Sequence, residues 1–390
     1  MNTDLYVRLS AMMFLEYAVW GAWAPVLATR LLGPLKMSGK QTGWIYATLP
    51  LASMFAPLLA GQLADKYFDT RWVLAGAHFL GALLLFVAIK RKSFVGLFLT
   101  MLLYSTCYAA TMPLVNAVMF RHLKEANVSA ASIFIWAPVA WALIGYFLTG
   151  WRWARKSDSD SGDFFILAAA ISVVLGIICL LQPPTPPQPS LENPIFKALA
   201  MLKEPSFAAF MLASLLGAGT MQFYFLGTGR FMQDSGLSSK NVPGAMGIAQ
   251  AAQAVATFFL LMLLWDKLGG KWTMVIGAGC WLLLYLIYMF AGSRLLIVAS
   301  QVFHGLAYVF FINGGWMYTD AVAPTEIKGS AQALIMLVTT GIGLFLGTQL
   351  AGIVMDRYSS DGKFQWRRVW MVPAVITLAS LVIMALGVYK

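Results

Sequence analysis

The sequence predicts an all-α integral membrane protein with twelve transmembrane helices in two six-helix pseudo-repeats. Three observations predict it. Of 390 residues 60% are hydrophobic and 11% charged, with a mean hydropathy of +0.74, whereas a soluble domain is about 45–50% apolar and about 25% charged. Apolar runs of about 20 residues, the length of a membrane-spanning helix, recur along the whole chain and leave nothing over for a soluble domain. A short signature after the second run returns after the eighth.

The runs lie at approximately 8–31, 42–64, 72–90, 93–119, 131–150, 163–182, 205–230, 242–265, 272–292, 295–319, 329–354 and 369–389. The first continues through VWGAWAPVLATRLL, past the length of a cleavable signal peptide, and reads as a retained first helix. The second leads into GQLADKYFDTRW (Gly61 to Trp72), and the eighth into LLWDKLGGKW (Leu263 to Trp272). In both, Asp-Lys is followed by a short turn and a basic residue before Trp. After the sixth run comes PPTPPQPSLENP (Pro183 to Pro194), too rich in proline for a helix and suited to a stiff linker. The expected organisation is a six-helix bundle over 1–182, a linker over 183–204 and a second bundle over 205–390. In the eleventh run Gly341, Gly343 and Gly347 permit close helix contact.

Several function classes fall away. The net charge of +11 is spread over short connections rather than gathered on one face, which excludes a nucleic-acid partner. Cys107, Cys179 and Cys280 lie inside apolar runs without paired spacing and read as packing residues. No nucleophile with a nearby base and no metal-ligand cluster stands out, so no enzyme activity, metal or cofactor is expected.

Six spans, a linker and six spans in the same direction is the parallel-repeat arrangement of the major facilitator fold. The loop after the second span is similar to that superfamily's Gly-x-x-x-Asp-[Arg/Lys]-x-Gly-[Arg/Lys] loop. Gly61, Asp65, Lys66 and Arg71 fit it, and Asp69 stands where the second Gly often does. A carboxylate near one helix end, paired with a base on the next helix, can latch one conformation. Gly61, Asp65 and Arg71, with Asp266 and Lys271 in the second repeat, are the latch candidates. The alternative is a set of solvated loop charges, since exposed pairs contribute about 0–1 kcal/mol. The fold implies cytoplasmic termini, but the larger share of Lys and Arg, including Lys90, Arg91, Lys92, Arg152, Arg155, Lys156, Arg367 and Arg368, then falls on the opposite side, against the positive-inside bias.

Within that superfamily the chain resembles the bacterial nucleoside:proton symporter family. The resemblance rests on FLEYAVWGAW (Phe14 to Trp23), ADKYFDTRWVLAGAHFLGA (Ala64 to Ala82), PLVNAVMFRHL (Pro113 to Leu123), LLGAGTMQFYF (Leu215 to Phe225), AYVFFINGGWMY (Ala307 to Tyr318) and GSAQALIMLVTTGIGLFLG (Gly329 to Gly347), which occur in the family's order over nearly the whole chain. It implies a multi-pass protein of the cytoplasmic (inner) membrane, acting as a monomer. Such a protein takes up nucleosides through a central cavity by alternating access, driven by protons.

A nucleoside has a flat base, amide-like edges and sugar hydroxyls, so its site needs ring faces and neutral donors and acceptors. In span one Glu16, Trp20 and Trp23 fall at i, i+4 and i+7 on one helical face. Asn116 in span four, Trp136 and Trp141 in span five, Gln222 and Tyr224 in span seven, and Gln250 and Gln253 in span eight extend the candidate set. Span ten places His304, Tyr308 and Phe311 on one stripe, with Val309, Asn313 and Trp316 on another. Each of these also fits helix packing or an interface belt. His78 reads as a structural group.

For proton coupling, the family resemblance implies an Arg in span five, an acid in span eight and an Asp before the Phe pair of span ten. This sequence has Phe134, Gln253 and Val309 there. Glu16 is the carboxylate well inside a run, and an acid in hydrocarbon marks a functional site by default. Glu16 is therefore the proton-coupling candidate, with His304 as its possible aid. The residues leave open a facilitator, a carrier of another small polar metabolite such as a sugar, and a non-transporting sensor on the same scaffold.

Overall fold

The computed structural model describes the chain apart from residues 1, 129, 158–161, 188–197, 291, 325–326, 361–362 and 390 and the side chains at 65 and 131. Among the described residues, eleven helical segments are long and apolar enough to cross a bilayer. Spans one to seven are Thr3–Leu32, Gly39–Ala64, Thr70–Lys90, Phe94–Ala126, Ser132–Arg155, Asp163–Leu180 and Pro205–Asp234; spans ten to twelve are Arg294–Val322, Lys328–Arg357 and Trp366–Gly387. The remaining segment, Val242–Phe290, runs for 49 residues, more than twice the about 20 that one crossing needs. Gly269 breaks it at φ 77° and ψ 168°, a conformation essentially closed to other residues. The segment therefore supplies spans eight and nine, and the expected twelve are complete.

Local chemistry sets the span ends. The side chains of Asn2, Asp69, Ser93 and Ser293 accept from main-chain N–H groups of the first turns of spans one, three, four and ten, satisfying donors that a helix leaves orphaned. Asn127 and Lys156, both at φ 52°, stop spans four and five in the left-handed conformation. Pro25 follows the end of the first helix of span one at Trp23, and the span resumes at Leu27–Leu32. After span eleven, a two-residue strand β1 (Ser359–Ser360) pairs antiparallel with β2 (Lys363–Phe364).

Contacts divide the chain into two compact units. The first is Met1–Met37, Thr48–Leu191 and Ser239–Gly247; the second is Ser38–Ala47, Glu192–Ser238 and Ile248–Lys390. In the first, span one packs on spans five and six, and span three on spans four and six. In the second, span seven packs on eleven and twelve, and span nine on ten and twelve. The two patterns coincide when six is added to each span, so the repeated loop signature reports repeated packing.

The expected bundles, 1–182 and 205–390, differ from these units in two places. The first turns of span two group with the second unit, because the Gly39 and Lys40 N–H groups donate to the Asp356 carboxylate at the end of span eleven. An acid at a helix N-terminus meets both the orphaned donors and the positive end of the helix dipole. The first turns of span eight group with the first unit: Gly244 N–H donates to Thr149 Oγ1 at 2.8 Å and Trp153 Nε1 to Asn241 Oδ1 at 2.8 Å.

The second unit is held by main chain against main chain. A Cβ at Gly347 of span eleven would lie 2.1 Å from the Gly219 carbonyl of span seven, and one at Gly305 of span ten 2.0 Å from the Ala249 carbonyl of span eight. Three π-helical segments, Ala256–Leu260, Tyr308–Asn313 and Leu337–Gly343, fall in this unit. Gly347→Ala is expected to destabilise it by about 1–3 kcal/mol through overpacking, read as a lowered melting temperature in detergent. Gly329→Ala, at a helical position with open space around it, is the control expected to leave melting unchanged or slightly raised.

Candidate functional site

In the first unit the span-one face predicted by spacing meets a matching stripe on span four. Tyr104, Tyr108 and Thr111 also stand at i, i+4 and i+7, and the two stripes pair in opposite directions. Trp23 Nε1 donates to the Tyr104 hydroxyl at 3.0 Å, the Trp20 and Tyr108 rings lie 6.3 Å apart, and the Thr111 hydroxyl lies 2.8 Å from Glu16 Oε1. The Tyr108 hydroxyl donates to the Glu16 main-chain carbonyl at 2.7 Å, and the Tyr104 and Tyr108 rings stack at 5.9 Å. From span five, Trp141 sets its ring edge-on to Trp20 at 5.2 Å, close over Gly21. Trp20 is half-buried in this cluster, while Trp23 is enclosed.

Glu16 is 1% exposed, and the side chain brought to it is His78 of span three, 2% exposed, with Nε2 3.0 Å from Glu16 Oε2. The contact is an ion-pair approach rather than an aligned hydrogen bond, since neither atom has a partner of good hydrogen-bond geometry. His78, read from the sequence as a structural group, is brought against Glu16 in this buried cluster. Sequence reasoning missed Thr111 and Tyr108. Their signal was the span-four stripe, which shares the spacing of the span-one face.

His304 is placed differently. Its Nδ1 accepts from Trp281 Nε1 at 3.2 Å, and its ring lies flat on Tyr224 at 3.6 Å between centroids. An Nδ1 that accepts puts the hydrogen of a neutral imidazole on Nε2, and no acid stands among the contacts described for this ring. His304 is thus a packed imidazole whose described partners are aromatic. Val309, at the position where the family resemblance implies an acid, sits in an apolar cluster with Ala256, Leu261 and Phe310, packed by Leu260, Leu264, Ile276, Leu306 and Met317.

The other candidates divide by exposure. Trp23, Tyr224 and Phe311 were expected to offer ring faces to a cavity; each is instead packed within its unit. Phe311 fits against Gly217 of span seven, Gly277 of span nine and the Trp281 ring at 5.5 Å. Trp141, Gln222 and Gln250 are buried as well. Trp20, Asn116, Trp136, Gln253, Tyr308 and Asn313 are half-buried and keep part of their surface off the packed core.

The latch candidates are described in part. Arg71 binds Asp69, through Nε to Oδ1 at 3.1 Å and Nη2 to Oδ2 at 3.1 Å. The Asp65 side chain lies outside the described residues, and Gly61 has open space around its Cα. Asp266 is exposed, and Lys271 lies over the Trp272 ring at 5.3 Å instead of pairing with it. The Asp69–Arg71 pair grips the start of the linker: Thr185 N–H donates to Asp69 Oδ2 at 3.0 Å, Thr70 N–H to Thr185 O at 3.0 Å, and Arg71 Nη1 to Gln182 O at 3.2 Å. From span four, Arg121 Nη1 donates to Pro186 O at 2.8 Å, and His122 Nε2 lies 3.2 Å from Thr185 Oγ1. Burial pushes the Asp69 carboxyl up, but the hydrogen bonds from Arg71 and Thr185 and the guanidinium charge outweigh it and hold it below its ordinary value.

With this geometry established, comparison with known proteins places the chain. Residues 1–390 match the family model described as Nucleoside H+ symporter. The chain is 27% identical to the nucleoside permease NupG of Escherichia coli (strain K12), over 99% of this chain and 97% of that protein. It is 28% identical to the putative nucleoside transporter YegT of the same organism, over 95% and 90%. It superposes on a crystal structure of the nucleoside transporter NupG with a TM-score of 0.84 and 25% identity, covering 100% of both chains.

Asp69→Ala removes a cap and the linker anchor together and is expected to cost about 1 kcal/mol of local stability, roughly fivefold in the opening equilibrium. The readout is faster proteolysis at 183–187. In the parent protein the anchor, resting on a depressed carboxyl, is fully present above about pH 4 and is lost as pH falls through the depressed value.

Proposed function

The chain belongs to the nucleoside H+ symporter family, and from that premise we infer that it carries nucleosides across the cytoplasmic (inner) membrane, driven by the proton gradient, with a single chain as the functional unit. The observation that carries this reading is the family match over every residue of the chain. Transport proceeds by alternating exposure of the cargo site to the two sides of the membrane, the mode of parallel-repeat carriers.

Support at residue level comes from groups that keep part of their surface off the packed core. In the first unit the half-buried Trp20 ring, braced by Trp141 and Tyr108, is the stacking surface for a base. In the second unit the half-buried amides of Gln253 and Asn313 match base edges and ribose hydroxyls, which need neutral donors and acceptors. Each of these positions is a proposal, as is the coupling to protons.

A second reading, a facilitator without proton coupling, is favoured by the apolar seating of Val309. Uptake of labelled adenosine and uridine into proteoliposomes, with and without an inward proton gradient, separates the two. Accumulation above the external concentration supports symport, equilibration alone supports the facilitator, and absence of both overturns nucleosides as cargo. Trp20→Ala is expected to raise the half-saturating nucleoside concentration by up to about tenfold, the loss of one aromatic pair.

A further inference from the structure

We propose that the transported proton is held by Glu16 and His78 together, with Thr111 as the positioning hydroxyl that accommodates both the loaded and the unloaded state. This rests on the symport reading above. It assigns the coupling site to spans one, three and four, away from Val309, where the family resemblance implies an acid.

Three features of the cluster carry it. First, a carboxylate and an imidazole are sealed together, 1% and 2% exposed and 3.0 Å apart, and the facing atoms, Glu16 Oε2 and His78 Nε2, have no other partner. Loaded, the pair contains one proton, either as Glu16 carboxylic acid beside neutral His78 or as Glu16 carboxylate beside the imidazolium; both forms have zero net charge. Unloaded, it is a carboxylate beside a neutral imidazole, with one uncompensated negative charge. Burying such a charge is strongly disfavoured, so the loaded pair suits the sealed position seen here, and release requires water to reach it.

Second, Thr111 has one hydroxyl hydrogen and two acceptors, Glu16 Oε1 at 2.8 Å and the Tyr108 carbonyl at 2.7 Å. Toward a carboxylate the hydroxyl donates to Glu16. Toward a carboxylic acid it turns to the Tyr108 carbonyl and accepts from Glu16. A hydroxyl serves in both roles, so this contact survives protonation and deprotonation alike.

Third, among the described residues the surroundings supply no competing fixed charge. The titratable groups facing Glu16 are His78 from span three, Tyr104 and Tyr108 from span four and Cys179 from span six. Span five packs on span one, but its buried Arg152 is engaged by Asp163 at 2.8 Å. The Tyr108 hydroxyl donates to the Glu16 main-chain carbonyl, and its ring adjoins Trp20, which ties the proton pair directly to the proposed stacking surface.

The test uses full-length protein, wild type and the variants Glu16→Gln, His78→Gln and Thr111→Val. In proteoliposomes Glu16→Gln is expected to retain nucleoside counterflow while its gradient-driven accumulation falls to a ratio of one. His78→Gln removes one of the two loaded forms and should move the pH of half-maximal accumulation down by about one unit. Thr111→Val removes a hydrogen bond that is stronger toward the charged carboxylate than toward the neutral acid, and should move it up by a similar amount. A merely structural role would not produce opposite shifts. In parallel, infrared titration of purified protein should show a carboxylic-acid C=O band that titrates with pH and is missing in Glu16→Gln. Accumulation surviving in Glu16→Gln, or a titrating band that persists in it, overturns the proposal. If wild-type protein exchanges neither adenosine nor uridine, the cargo reading fails, and the infrared titration still decides the proton site.

Discussion

A chain that crosses a bilayer twelve times meets no water along most of its length, and that single constraint orders the rest of the molecule. Main-chain groups must be satisfied within each span, so the spans are helices, and three stretches of the second unit adopt π-geometry. Helices in hydrocarbon gain nothing from apolar burial against one another, so they associate by close approach over small residues. Gly219 against Gly347 and Gly305 against Ala249 follow from that. Polar chemistry gathers where spans end, as at Asp69 and Asp356, and the acid brought inside, Glu16, meets His78 and Thr111.

The two units handle polarity in different ways. The first encloses a titratable pair and a row of hydroxyls along the face between spans one and four. The second encloses packed rings, His304 stacked on Tyr224 and Trp281 tilted against Phe311, and the Val309 cluster where the family resemblance implies a charge. A lone Glu16 would be an uncompensated charge in hydrocarbon; beside His78 and Thr111 it is a site.

The linker has its own logic. Proline supplies stiffness by removing N–H donors and fixing φ, and the carbonyls it leaves unpaired, such as that of Pro186, become acceptors for Arg121. Asp69, which departs from the glycine common at that loop position, caps span three, binds Arg71 and anchors Thr185.

Composition and period alone determined the solvent, the number of spans and the duplication, because hydrocarbon thickness and helical rise leave no other reading of repeated apolar runs. The shared face of Glu16, Trp20 and Trp23 was also legible, since it depends only on 3.6 residues per turn. What lay across from that face was not. Whether a ring is enclosed, as Trp23 and Phe311 are, or half-free, as Trp20 is, depends on which neighbour presents a glycine or a tyrosine at the same depth. A partner such as His78, 62 residues along the chain from Glu16, is chosen by how helices pack. Periodicity within a span carries the direction of a side chain; only the tertiary structure carries what it meets.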